Sequence, residues 1–290
     1  MSLAAKTELR SLRTIAVVAG ALSASLGLTA LIGWITGMSI LTTFAADRIP
    51  MAPSTAVLFV LFGGVVALSS TRLRQRSPQI NATIGVVGTV VAATLLVTSL
   101  LGITSSVEHL GLPITGQVAG APIGYMSPAT AACFVLAGVA FLLMCPNLNT
   151  GWRQGRTALG LALLLLLASI VLNAAYLLGG PLFYHSGTIP PALTTALSFL
   201  ILSIGLLARA GLQIRIHEEM GQVQPARPPY GALAAVVVLS CAIVITAYIY
   251  FRSFQSQFRR EIESELSAVA ELKTSELVQW RSERVGDGNV

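Results

Sequence analysis

The chain has 290 residues, of which 54% are hydrophobic and 10% are charged, and its mean hydropathy is +0.77. Soluble domains carry roughly 25% charged residues, so this composition excludes a soluble enzyme. The charge is also uneven, because 13 of the charged residues fall within residues 252–290. The sequence therefore divides near Phe251 into a long apolar part and a charged tail.

Seven apolar stretches are long enough to cross a bilayer, which takes about 20 residues in a helix. They are residues 14–36, 52–71, 81–103, 127–145, 157–179, 191–208 and 230–251. None contains Asp, Glu, Lys, Arg or His, which are costly at the centre of a bilayer. The sequence therefore predicts an all-α polytopic membrane protein with seven transmembrane helices.

Basic residues predict the orientation of these helices. Eleven Lys and Arg residues flank one side of the first six stretches, whereas the loops on the other side contain only Arg48. Lys and Arg near transmembrane helices are retained in the cytoplasm, so the N-terminus is predicted to be cytoplasmic and residues 252–290 extracytoplasmic. A cleaved signal peptide is the alternative for residues 14–36, but its removal would reverse the charge pattern. Anionic lipid headgroups, not nucleic acid, account for the basic residues.

An internal repeat marks the even-numbered stretches. Residues 51–63 and residues 126–138 share the pattern M-x-P-x-T-A-x-x-F-x-L-x-G without a gap, and Thr195, Ala196 and Phe199 form a weaker third copy. The repeat predicts three helical hairpins. The chain is therefore predicted to have four parts: a six-helix module at residues 1–211, a cytoplasmic linker at 212–229, a seventh helix at 230–251 and a stalk helix at 252–290.

The motif has two interpretations. Proline suits the first turn of a helix, a nearby Thr can satisfy backbone groups there, and Gly63 and Gly138 allow close helix packing. Alternatively, three helix N-termini, each with a partial positive charge, gather around a ligand pocket in the outer leaflet. The residues that would line this pocket are Met51, Pro53, Thr55, Met126, Pro128, Thr130 and Thr195.

Catalytic and cofactor chemistry is not predicted. The apolar stretches lack the ionisable residues that mark ion and proton pathways. The histidines and cysteines show no recognised metal-ligand spacing, and the sequence contains no nucleophile or phosphate-binding motif. We therefore expect no metal, no cofactor and no enzymatic activity within this chain.

The charged tail is predicted to be an amphipathic helix that continues from the seventh span. Its apolar residues recur at helical spacing and include Phe254, Phe258, Ile262, Leu266 and Trp280. Such a stripe needs a partner, because an isolated amphipathic helix is marginal in water. It either pairs with a second copy to form a homodimer or begins a larger extracytoplasmic domain. We expect the second, so that residues 252–290 are the start of a truncated sensor domain and the chain is an N-terminal fragment.

Residues 271–287, which read E-L-K-T-S-E-L-V-Q-W-R-S-E-R-V-G-D, resemble the opening helix of Cache-type sensor domains through the core W-R-x-E-R at Trp280–Arg284. The six-span region resembles the N-terminal sensor modules of bacterial hybrid kinases. These resemblances imply a signal-input region in the bacterial plasma (inner) membrane. The output domain would be a two-component histidine kinase or a diguanylate cyclase with PAS modules. The alternatives are a small-solute or lipid carrier and a membrane scaffold that pairs through its outer helix.

Overall fold

The computed structural model describes residues 3–219 except 44–48, 72–77, 102, 104–105, 115, 119–120, 146–151 and 178–190. The predicted seventh span and the tail, including Phe254, Phe258, Ile262, Leu266 and Trp280, lie outside the described residues. The helices are α1 (Leu3–Thr36), α2 (Ser39–Thr43), α3 (Pro53–Ser70), α4 (Pro78–Leu100), α5 (Pro128–Leu143), α6 (Trp152–Leu177) and α7 (Leu193–Glu219). A 3-10 turn (Ser106–His109) and a two-stranded antiparallel hairpin of β1 (Gln117–Val118) and β2 (Ala121–Pro122) lie between α4 and α5.

Within the described residues, the prediction of a helical chain with membrane-spanning helices is confirmed in part. The helices α1, α3, α4, α6 and α7 are long and apolar enough to cross a membrane, and α5 is a shorter apolar helix of 16 residues. The helix α7 continues to Glu219, well beyond the apolar stretch that ends at residue 208. Its last turns therefore bring Arg209 and Arg215 into the helix.

The six longer helices alternate between central and peripheral positions. Three antiparallel hairpins are formed by α1 with α3, α4 with α5, and α6 with α7, and α1 also packs along α7 to close the ring. The central helices are α3, α5 and α7, which contact one another. In their most apolar stretches, 61% of the residues of both α3 and α7 are buried, against 33% for α1 and 22% for α4. The exposed Val and Ile residues of α1 and α4 give the bundle the apolar surface that lipid covers.

Equivalent phenylalanines of the repeat meet on the axis of the bundle. Phe59 of α3, Phe134 of α5 and Phe199 of α7 are fully buried, and their ring centroids lie 4.6–4.7 Å apart in all three pairs. Their tilted and edge-to-face orientations are those that aromatic quadrupoles favour. Phe62 stacks on Phe134 with the centroids 5.9 Å apart. These rings form the core that joins the three hairpins.

Glycines bring the backbones of the first hairpin into contact. A Cβ added to Gly63 would lie 2.6 Å from both the Ala24 nitrogen and the Gly20 carbonyl oxygen. A Cβ on Gly138, the equivalent repeat position in α5, would collide with the side chain of Thr89 in α4. The predicted close approach at Gly63 and Gly138 is therefore confirmed. In a membrane, where apolar transfer does not drive helices together, this packing supplies much of their association.

Candidate functional site

The three central helices begin in the same way. Their first turns are closed by equivalent backbone hydrogen bonds of 3.0 Å, in which Ala56, Ala131 and Ala196 donate to Ala52, Ser127 and Ala192. Pro53 and Pro128 occupy the first helical position, where their missing N–H groups cost no hydrogen bond. Leu193 takes that place in α7, because the prolines of the third copy come earlier in the chain. We call this end of the bundle the motif end.

The structure buries the residues of the predicted pocket. Met51, Thr55, Met126, Thr130 and Thr195 are each at most 2% exposed. Pro53 is buried as well, whereas Pro128 is partly exposed. Met51 and Met126 belong to the same core cluster as the phenylalanines. Apart from Pro128, the predicted residues therefore lie buried at the motif end.

Local capping accounts for part of the motif. Ser127 caps α5, because its hydroxyl oxygen accepts the backbone N–H of Thr130 at 3.1 Å and lies 2.7 Å from the Thr130 hydroxyl. The backbone of Ala52 has the same extended conformation before α3 but provides no side-chain cap. The capping oxygen in α5 thus comes from the residue before the proline and not from the threonine after it.

A polar side chain holds the residue two places before each central helix. The indole N–H of Trp34 donates to the Met51 carbonyl at 2.7 Å, and the hydroxyl of Tyr176 donates to the Pro191 carbonyl. In the second hairpin the Glu108 carboxylate accepts the backbone N–H of Met126 at 2.7 Å. We call Trp34, Tyr176 and Glu108 the three buttresses. They attach each central helix to the segment that precedes it.

A further contact links the first and third hairpins at the motif end. The Thr42 carbonyl in α2 accepts the Met51 backbone N–H at 3.1 Å and the hydroxyl of Thr194 in α7 at 3.4 Å. Asn173 of α6 donates to the Ala196 carbonyl at 2.9 Å, one turn into α7. The start of α7 is therefore tied both to its own hairpin partner and to the first hairpin.

Glu108 is the acidic buttress. Its side chain is 5% exposed, and burial raises the pKa of its carboxyl above the usual glutamate range, partly offset by the hydrogen bond from Met126. The adjacent loop is held by His109 and Tyr125, whose ring centroids lie 4.5 Å apart. A Cβ on Gly124, whose φ is +89°, would lie 3.0 Å from the His109 ring. These contacts pack the loop closely at the residue next to Glu108.

Glu108 predicts a dependence of stability on pH. Because its folded-state pKa is raised, the folded protein binds more protons than the unfolded chain between the usual value and the raised one. Stability should fall as pH rises through that window, and Glu108→Gln should remove this slope while keeping an acceptor for Met126. Glu108→Ala should instead cost about 1–3 kcal/mol, since it leaves a buried N–H unpaired. Melting temperatures of the purified protein from about pH 4 to 7 measure both effects. An unchanged slope in Glu108→Gln would contradict the assignment.

The opposite end of the central helices meets at Arg209. Its guanidinium donates to the Ser69 hydroxyl at the end of α3 and lies over the Phe141 ring of α5, 5.1 Å from the ring centroid. Arg209 thus joins all three central helices at one point. We call this the basic end, because α1 begins here with Lys6, Arg10 and Arg13.

Sequence reasoning found the motif but missed the side chains that hold it. Glu108 and Trp34 lie in or near loops, where an acid or an aromatic residue is ordinarily solvated or an interface anchor. Arg209 has the position of a loop anchor after an apolar stretch, and only the continuation of α7 places it between helices. One sequence signal for the core was available, because a phenylalanine recurs at the same position in all three copies of the motif.

Comparisons of the chain with protein-family models, curated protein sequences and solved structures gave no match.

Proposed function

We propose that the chain is the membrane-embedded signal-input region of a bacterial signal-transduction protein of the sensor histidine kinase or diguanylate cyclase type. It would lie in the plasma (inner) membrane with a cytoplasmic N-terminus. One observation carries the proposal: the central helices are held by separate buttresses at the motif end and converge on Arg209 at the basic end.

This arrangement suits the transfer of a conformational change from one side of a membrane to the other. Helices move as units, so a change at one buttress would displace the far end of its helix relative to the other two helices, at the point where Arg209 joins them. The Phe59, Phe134 and Phe199 rings couple the three helices to one another midway. A stimulus would act by binding one arrangement of the motif end more tightly than another.

The sequence pattern of the tail supplies the rest of the proposal. Under this proposal, residues 252–290 would pair two copies of the chain. Their apolar stripe would transmit the signal, and it comprises Phe254, Phe258, Ile262, Leu266 and Trp280. The chain itself would have no catalytic role. A carrier would require a path along the axis, which the three contacting phenylalanine rings fill.

The test is a pair of chromosomal substitutions in the natural gene. Glu108→Ala removes the buttress of α5, whereas Ser106→Ala changes an exposed residue of the same turn. If two signalling conformations are about equally populated, destabilising one of them by about 1 kcal/mol changes the ratio of their populations about fivefold. We therefore expect Glu108→Ala to change response-regulator phosphorylation or the cyclic di-GMP level several-fold, at equal protein abundance, and Ser106→Ala to change neither.

Two results would count against the proposal. One is unchanged signalling output in Glu108→Ala cells that contain the normal amount of protein. The other is movement of a solute or lipid across proteoliposomes that contain the purified chain, which would favour a carrier.

A further inference from the structure

Two arginines at the basic end have charge that the described protein does not neutralise. The Nε atoms of Arg13 and Arg209 are buried and have no hydrogen-bond partner among the described residues. In the same part of the chain the ion pair that forms is Arg215 with Glu8, at 2.9 Å, and it includes neither of them. A buried guanidinium donor without an acceptor costs free energy, so its persistence calls for a partner.

The nearby helix ends do not provide that partner. In α3 the Leu68 carbonyl accepts both the backbone N–H and the hydroxyl of Thr71. In α5 the Phe141 carbonyl accepts the Met144 N–H and the Cys145 thiol, and the Leu142 carbonyl accepts the Cys145 N–H. These three carbonyls near the ends of α3 and α5 are therefore occupied by residues of their own segments.

Arg13 lies level with Arg209 along the bundle. The helices α1 and α7 run antiparallel, with Gly205 beside Gly20 and Glu8 paired to Arg215. A Cβ on Gly211 would lie 3.7 Å from the Leu12 side chain, which places Arg13 opposite the turn that contains Arg209. Arg13 is also on the buried stripe of α1 that includes Ala16 at 0% exposure, three residues later on the same helix face.

The depth of this pair matches a lipid headgroup. Ser69 and Arg209 occupy equivalent positions, sixteen residues after the first residue of α3 and of α7. At about 1.5 Å per residue they lie about 24 Å from the motif end, close to the thickness of the hydrocarbon layer. Guanidinium groups bind phosphate oxygens through charge-assisted and often bidentate hydrogen bonds.

We propose that Arg13 and Arg209 form a binding site for a phosphate-bearing anion at the basic end, between α1, α3 and α7, with the Ser69 hydroxyl beside it. The ligand class is a phosphate mono- or diester, and the depth of the site favours the headgroup of an anionic phospholipid. The proposal does not depend on a signalling role for the chain.

Binding of fluorescent phosphatidylglycerol to the purified full chain in neutral detergent tests the site. We expect saturable binding that Arg13→Gln weakens about tenfold, the loss of one charge-assisted contact. Arg10→Gln is the matched control, because Arg10 is exposed one turn earlier on the same helix, and it should bind as the natural chain does. Arg209→Lys, which keeps the charge but not the planar fork, should also weaken binding.

Competitors identify the source of the phosphate. Phosphatidylcholine, whose headgroup carries no net charge, should compete weakly, and competition by inorganic pyrophosphate at similar concentrations would assign the site to a soluble phosphate. Equal binding by the natural chain, Arg13→Gln and Arg209→Lys would overturn the proposal, provided that size-exclusion profiles show all three folded. Equal losses in Arg13→Gln and Arg10→Gln would also overturn it, because they indicate diffuse attraction to a basic surface.

Discussion

Phe134→Ala is expected to destabilise the bundle more than any other single substitution considered. Phe134 is fully buried and contacts Phe59, Phe62 and Phe199, so its truncation opens a cavity where the three hairpins meet. Truncation of a buried phenylalanine typically costs about 3–5 kcal/mol. Thermal unfolding of the purified protein, followed by loss of the monodisperse size-exclusion peak, measures the effect.

Val139→Ala is the control for this prediction. Val139 lies on the same helix but is 38% exposed on the apolar surface, so its truncation should change the melting temperature little. Equal losses in the two variants would show that the aromatic cluster is not the centre of the core.

Gly63→Leu is expected to separate α1 from α3. The new side chain would project into the backbone of Gly20 and Ala24, which cannot move aside as a flexible side chain could. Overpacking of this kind costs about 1–3 kcal/mol or more and should reduce the amount of folded protein recovered from membranes. Gly64 provides a matched control, since a Cβ there meets nothing within 4 Å.

The comparison of the two glycine variants is informative because helix propensity is the same in both. Gly64→Leu should leave the folded yield unchanged or raise it slightly, since leucine favours a helix over glycine. If both variants lost folded protein to the same extent, the close contact between α1 and α3 would not be a determinant of stability.

The sequence alone predicts the helical hairpins and the three-fold recurrence of one motif, because apolar length and residue spacing are one-dimensional signals. The close helix contacts that the repeat predicts at Gly63 and Gly138 are confirmed. The convergence of Phe59, Phe134 and Phe199 depends on which helices become central, and composition does not distinguish central from peripheral helices here. The amphipathic helix at residues 252–290 remains a prediction, because these residues lie outside the described part of the chain.

The polar contacts were harder to foresee. Glu108 is a single acid in a loop, and its burial depends on the path of the chain from the end of α4 to Met126. The count of basic residues beside the apolar stretches treated Arg209 as one more loop cation. Its place between Ser69 and Phe141 follows from three helices ending at the same level, which no local pattern records.

The packing of α1 along α7 has a consequence for biogenesis. Of the described helices, α1 is made before all the others but meets its neighbour α7 only after five further helices have been made, since α7 begins at Leu193. Until then, the small-residue face around Ala19 and Gly20, which receives Gly205, has no protein neighbour from the third hairpin. Within the described helices, the contact between α1 and α7 therefore forms late, and an insertion fault in the hairpin of α6 and α7 leaves α1 without one of its neighbours.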